Sequence, residues 1–370
     1  VSGMEDKKYK LKELLTIKNG KDHKLLAEGD YPVYGSGGYM RSVNSFLYDR
    51  TSILLPRKGT LSNIQYVSEK PFWTVDTIYY TVLNENLYDP YYLFLYLNAL
   101  DLSGYDSGAS IPSMTSKTYY SLNVELPEKK IQAKVANIIR AYDNLIENNN
   151  KRIKLMEQMA ENLYKEWFVR FRFPGYESVE FENGLPKDWK IERLSDIADI
   201  IMGQSPKSEN YNTNCEGLPF HQGVGSYGDF YLIDDIYSTK GNRIAEANSI
   251  IFSVRAPVGR INITLNKIIL GRGVASINSV KGYNAYLLWM LKHQFQQEDI
   301  IGNGSIFASV TKKELFGFKI LMPNEDLIQK FDSIASGIES VMRKISLINS
   351  NLEKQRDMLL PRLMSGKIEV

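Results

Sequence analysis

"SMTSKTYYSLNVELP", from Ser113 to Pro127, and "SVTKKELFGFKILMP", from Ser309 to Pro323, align without a gap. Both open on Ser-x-Thr, carry a lysine just beyond, alternate apolar residues and end on Pro. Likeness at this long a period decides the fold before any single element is assigned. It spreads in both directions. Downstream, Val135, Ile138, Tyr142, Leu145, Met156 and Leu163 match Phe331, Ile334, Ile338, Val341, Leu352 and Leu359 at the same offset. Upstream, "PYYLFLYL" from Pro90 resembles "NAYLLWML" from Asn284. "TSILLPRKGTLSNIQ" from Thr51 resembles "NSIIFSVRAPVGRIN" from Asn248 with a one-residue slip, and "YKLKELLTI" from Tyr9 matches "WKIERLSDI" from Trp189. Chance explains one such pair but not a series in the same order. The chain is read as a tandem duplication.

Each repeat has a globular part followed by a helix. The globular part mixes strand-like stretches such as "QYVSEKPFWTVDTIYYTVL" from Gln65 with one apolar helix and many glycine loops. The expected boundaries are a first domain at 1–126, a first spacer helix at 127–170, a linker at 171–188, a second domain at 189–322 and a second spacer helix at 323–370. The fold class is α+β. Two duplicated mixed α/β domains are separated by two long helices that form an antiparallel coiled coil, with pseudo-twofold symmetry.

The coiled coil follows from spacing. The matched apolar positions recur mostly at three, four or seven, with one step of eleven from Leu145 to Met156, an a/d seam. Asn149 and Arg152 interrupt it in the first helix and Gln355 in the second, polar residues of the kind that fix register at a cost in stability. A helix of about 38 residues would be about 57 Å long, more than a small domain spans. Packing each helix only on its own domain therefore explains it poorly. The linker from Phe171 to Asp188 contains Pro174, Gly175, Gly184 and Pro186. A parallel pair would need it stretched to nearly its full reach of about 60 Å. An antiparallel pair needs almost none of that.

Composition bounds the function. The 370 residues are 43% apolar and 24% charged, the balance of a globular protein of two or three domains. No apolar run approaches the roughly 18 residues of a membrane span, and no secretory signal is read. Val1, Ser2 and Gly3, ahead of Met4, carry no fold information. Cys215 is the single cysteine, so no internal disulfide forms and a reducing, cytoplasmic setting is expected. Net charge is only +2, so any nucleic-acid argument rests on local charge.

Catalytic patterns are missing. There is no Walker loop, and "GSGGYM" from Gly35 leads into no helix. His23, His221 and His293 lack ligand spacing. His221 reads as a solvated loop residue. No Ser/His/Asp arrangement suggests itself. "YDPYY" from Tyr88 lacks the second Pro of an adenine-methylation motif and reads as a helix start. What remains is local basic charge among small and aromatic residues. Arg41, Arg50, Arg57 and Lys58 cluster in the first repeat. Lys240, Arg243, Arg255, Arg260, Lys267 and Arg272 cluster in the matching stretch of the second. Such cations neutralise phosphates, and arginine also takes guanine O6 and N7 together. "SILLPRKG" and "SIIFSVRAPVGR" each run an apolar strand into a basic turn closed by Gly59 or Gly259.

These residues resemble the DNA-specificity subunit of type I restriction-modification systems. The most specific pieces are "NGLPKDW" from Asn183, continuing through "KIERLSDIADIIMGQSP", and "LLPRLMSGKI" from Leu359, together with the paired Ser-x-Thr segments. The likeness covers nearly the whole chain, except that the first repeat lacks the Leu-Pro-x-x-Trp lead-in. It implies two target-recognition domains, each reading half of a split double-stranded DNA sequence. It implies helices that set the gap and carry two methyltransferase subunits. Those partners would bind S-adenosylmethionine and methylate adenine, this chain holding no cofactor and no metal. A restriction/translocase subunit would join for cleavage. The alternative is a coiled-coil scaffold that assembles proteins without reading sequence. On the first reading the candidate DNA contacts are Ser36, Gly38, Tyr39, Arg41, Arg57, Lys58, Thr60, Ser110, Ser113, Thr115 and Lys117 in the first repeat. In the second they are Gln222, Tyr227, Arg255, Arg260, Arg272, Ser305, Ser309, Thr311 and Lys312.

Overall fold

The computed structural model describes residues 6–102, 112–300 and 309–370. Ser110 and Ser305 lie outside the described residues. The chain divides into two compact units, one of residues 1–148 with 349–370, the other of residues 149–348.

In the first unit, Ser52–Pro56 is buried along its whole length because apolar side chains point to both faces. It sits inside a four-stranded sheet ordered Leu15–Asn19, Ile78–Leu83, Ser52–Pro56, Gln65–Val67. The one polar side chain this strand buries, Ser52, donates to the Thr81 carbonyl at 2.8 Å. A three-stranded sheet places Tyr31–Gly35 between Gly38–Val43 and a parallel Trp73–Thr74. Lys7–Lys10 pairs antiparallel with Asn123–Leu126. The apolar helix Pro90–Asn98 starts as expected, with Pro at its first turn and the Asp89 carboxylate accepting from the Tyr91 and Tyr92 amides.

The second unit repeats this plan. Its four-stranded sheet runs Ala198–Met202, Val274–Ser279, Ile250–Ser253, Ile261–Ile263. Leu218–His221 lies parallel to Ile268–Leu270, as Tyr31–Gly35 does to Trp73–Thr74. Strand pairing corrects two of the alignments read from the letters. Lys10 stands opposite Asn123 and Arg193 opposite Lys319, so Leu11 corresponds to Leu194 rather than to Ile191. Leu54 pairs with Gln65 and Ile251 with Asn262. The two basic turns are therefore equally long, and Lys58 corresponds to Arg255, Arg57 to Val254. Gly59 and Gly259 both have positive φ, 92° and 84°, but at different places in the turn. Alternating basic and apolar letters look alike after a small slip, whereas a hydrogen-bonded ladder admits one register.

Two long helices span Lys129–Tyr164 and Glu325–Met364. In the first unit, Val135, Ala136 and Ile139 share a core with Leu363. Arg356 Nη1 reaches Asp143 at 2.7 Å, and Lys134 Nζ donates to the Val370 carbonyl at 2.8 Å. In the second unit, Ala160 and Tyr164 pack with Phe331, Ala335 and Met342, the Tyr164 and Phe331 rings 5.9 Å apart. In each unit the early part of one helix lies on the late part of the other, which is antiparallel pairing. The seam differs in detail from the spacing argument. Leu145, Ile334 and Val341 are 45%, 47% and 43% exposed, and the buried positions are their neighbours Ile146, Ala335 and Met342. Asn149 is buried as expected of a seam residue, whereas Arg152 and Gln355 face solvent. Adjacent apolar pairs such as Leu145-Ile146 let either residue complete a heptad on paper, and only the contact face distinguishes them.

The first helix ends in a π-turn over Lys165–Val169, which turns Trp167 and Phe168 into the second unit's core beside Phe331. The segment read as an irregular linker folds onto the same unit. Asn183 and Gly184, both at positive φ, turn a short hairpin of Phe181–Glu182 with Leu185–Pro186, and Phe171 and Phe173 pack against Trp189 at 5.3 and 6.1 Å.

Candidate nucleic-acid interface

The Ser-x-Thr segments open the site. In the first unit Ser113 bridges to Lys58, and the Met114 amide donates to the Arg57 carbonyl at 3.0 Å. In the second, Ser309 bridges to Arg255 and the Val310 amide donates to the Val254 carbonyl at 2.8 Å. Each segment thus runs alongside its basic turn. The threonines explain the rest of the motif. Thr115 and Thr311 are N-caps, accepting from the amides of Thr118 and Glu314 at 3.2 and 3.3 Å. Their hydroxyls are held by the helix ends rather than offered to a ligand. Lys117 is exposed beside Thr115, and the Lys312 ammonium lies 4.9 Å from the Phe316 ring.

In the first unit the basic turn meets the glycine loop. Asn63 Nδ2 donates to the Ser36 carbonyl at 2.6 Å and Gln65 Nε2 to the Gly35 carbonyl at 2.9 Å. A methyl on Gly59 would come within 3.2 Å of Ser36 Oγ. Lys58 and Thr60 are exposed. Arg57 is half-buried, its guanidinium 5.9 Å from the Tyr79 ring. Tyr39, 63% exposed, follows Gly38, whose φ of 112° only glycine adopts freely. Arg41 is different in kind. Its Nη2 donates to the carbonyls of His23 and Leu26 at 3.0 and 2.6 Å, so it clamps a neighbouring loop.

In the second unit Gln222, Arg255 and Arg272 meet in one cleft of about 690 Å³, with Ser205 and Lys207 on its rim. All three cations are exposed. The lining holds no carboxylate among the described residues, so the cleft suits a polyanion. Arg260 is exposed at the end of the turn, its amide donating to Ser253 Oγ at 2.8 Å. Tyr227 turns inward instead. Its hydroxyl reaches the Ile251 carbonyl at 3.4 Å, and burial pushes its ionisation well above the usual phenol range.

His221 corrects the reading of a solvated loop histidine. It is fully buried, Nδ1 2.7 Å from Ser226 Oγ and Nε2 2.9 Å from Asp234 Oδ1. Asn266 Nδ2 donates to the other oxygen of Asp234 at 2.6 Å. A Ser/His/Asp arrangement is therefore present that no spacing of letters foretells, since Ser226 and Asp234 flank a loop whose path is set only on folding. It is a clasp rather than a nucleophile site. Ser226 Oγ also donates to the Gly223 carbonyl at 3.3 Å, and the imidazole has no access to solvent. The clasp closes the loop that presents Gln222. Ser205, Lys207, Asn63 and Gln65 were missed by sequence reasoning. For Ser205 and Lys207 the available signal was "GQSPKS" standing at the same distance beyond the first helical turn as the lead into the first repeat's loop.

Two copies of one mixed domain, each with an exposed cation on its basic turn, are linked through paired long helices. The sequence model of the family described as "Type I restriction modification DNA specificity domain" matches residues 4–158 and again 186–355. The chain belongs to that family and is the specificity subunit, the non-catalytic recognition member, of a type I restriction-modification system. Two similar proteins come from Methanocaldococcus jannaschii. Its MjaX chain is 30% identical over 300 residues, covering 78% of this chain and 70% of the relative. Its type I restriction enzyme MjaIX specificity subunit is 24% identical over 351 residues, covering 88% and 79%. The solved S subunit of the type I restriction-modification system of M. genitalium superposes with a TM-score of 0.62 at 16% identity, covering 98% of this chain and 97% of that one, a likeness of fold. No described helix is long and apolar enough to cross a membrane.

Proposed function

We propose that each globular domain reads one half of a bipartite double-stranded DNA target in the major groove. The basic turn and the glycine loop are the reading face, and the long helices set the unread gap. The helices also seat two methyltransferase subunits, which bind S-adenosylmethionine and methylate adenine. A restriction/translocase subunit joins this core where the host system cleaves. The observation that carries the reading is the second domain's cleft, where Gln222, Arg255 and Arg272 gather without a carboxylate. Sequence-independent phosphate contacts position a protein on the duplex, and amides and guanidinia read base edges.

The test uses the assembled methyltransferase. Arg255→Ala should weaken binding, and affinity measured across salt on cognate and scrambled duplexes identifies how. A lost phosphate contact weakens both duplexes and makes the log-log salt slope shallower by about 1. A lost guanine contact costs about 1 to 3 kcal/mol on the cognate duplex alone. Wild-type behaviour of both Arg255→Ala and Lys58→Ala on both duplexes at every salt concentration would show that these turns do not face DNA.

A further inference from the structure

The strand registers place three residues of one repeat on the same scaffold positions as three of the other. Gly20 and Gly203 correspond, since a methyl on either would strike the carbonyl oxygen of the residue that follows the matching strand, Val75 at 2.1 Å or Gly271 at 2.0 Å. Two residues on, Asp22 matches Ser205. Tyr34 and His221 pair in equivalent parallel ladders, so Gly35 matches Gln222. Beyond those ladders, Asp76 matches Arg272. The same corner is thus Asp22, Gly35 and Asp76 in the first domain but Ser205, Gln222 and Arg272 in the second. At these three positions one copy carries two carboxylates around a glycine, while Lys58 stands where the other has Arg255. The other is basic with a carboxamide in place of that glycine.

That carboxamide is held. A methyl on Gly271 would lie 2.6 Å from Gln222 Cβ, and one on Gly273 would lie 2.1 Å from the Gln222 carbonyl oxygen. The backbone of Gln222 therefore rests between two glycines that flank Arg272. The His221 clasp fixes the residue before it. Ser205 fixes the side chain. Its Oγ accepts from the Arg272 amide at 3.1 Å and donates to Gln222 Oε1 at 3.2 Å. A hydroxyl has one hydrogen to give, and giving it to the amide oxygen turns Nε2 to the other side. The carboxamide then enters the cleft with a defined donor edge and a defined acceptor edge.

Resting on the half-site reading above, we propose that Gln222 reads one unmethylated adenine of the second domain's half-site, accepting from N6 and donating to N7, and that Ser205 is the positioning residue that sets its orientation. Glutamine matches the major-groove edge of adenine in this bidentate way, whereas a freely flipping amide discriminates less. The first domain, with Gly35 at the same place, reads its half by other groups.

The experiment takes the assembled methyltransferase and its cognate duplex, obtained by mapping methylated sites in the host. Each unmethylated adenine is replaced singly by 7-deazaadenine, which removes only the N7 acceptor. One position should cost wild type ~5- to 100-fold in affinity. The same replacement should cost Gln222→Ala almost nothing. Ser205→Ala should shrink the penalty and Ser205→Thr, which keeps the hydroxyl, should retain it. A purely structural Ser205 would lower affinity without changing the penalty. The proposal is overturned if cognate still beats scrambled duplex yet no 7-deaza position couples to Gln222. If wild type does not distinguish cognate from scrambled duplex, the half-site reading itself falls, and this proposal with it.

Discussion

Glu339 is half-buried in the second unit and accepts from Trp289 Nε1 at 3.0 Å. Burial raises its pKa to about 8 from an ordinary 4.5, against the lowering effect of that hydrogen bond. A carboxyl whose folded pKa is raised binds its proton more tightly in the folded state. The stability that Glu339 contributes is therefore fully present below about pH 4.5 and is lost as pH climbs through about 8. Glu339→Gln should match wild type near pH 5 and exceed it at pH 8, by on the order of 1 to 3 kcal/mol in denaturant unfolding. An equal difference at both pH values would mean that Glu339 does not titrate in this window. Arg41 calls for the opposite kind of experiment. Its contacts are two carbonyls of its own domain and its Nε is buried. Arg41→Ala should cost about 1 to 3 kcal/mol of stability while leaving the salt slope of DNA binding unchanged. A shallower slope would restore it to the list of phosphate contacts.

At the scale of elements, the repeated helices carry matched clasps to their domains. Asp143 accepts from the Tyr91 hydroxyl of the first apolar helix, and Glu339, its counterpart in the repeat, from Trp289 of the second. The chemistry is kept while the residues change, because a buried aromatic donor needs an acceptor whichever ring supplies it. The seam makes a sharper forecast. Ile146 is 8% exposed and Leu145 is 45% exposed. Ile146→Ala should lower stability by about 2 to 4 kcal/mol, and Leu145→Ala by roughly 0.5 kcal/mol or less. Equal losses would put the contact face elsewhere. Heptad spacing was legible in the sequence, but which of two adjacent apolar residues faces the partner helix was not. That choice depends on the phase of the partner, which lies far away in the chain.

For the whole molecule, the proposed gap-setting role of the helices predicts a change in geometry without a change in sequence reading. Inserting one heptad into each long helix should lengthen the unread gap in the methylated sites of the host and leave both half-sites intact. Altered half-site bases with an unchanged gap would refute it. The division of labour predicts that this chain, purified alone, transfers no methyl group from labelled S-adenosylmethionine and gains that activity only with methyltransferase subunits. The duplication, the order of domain and helix, the helix lengths and the basic turns were all carried by the sequence. They are local or periodic properties, and periodicity survives in a string of letters. Folding decided what depends on distant partners. The ladders chose the register between repeats, since an alternating pattern reads alike after a slip but pairs in only one way. The same ladders set Ser205, Gln222 and Arg272 at one corner, though they stand far apart in the chain, and buried His221 between Ser226 and Asp234. Side chains brought together by separate strands share no spacing rule, so their meeting is written in the tertiary structure alone.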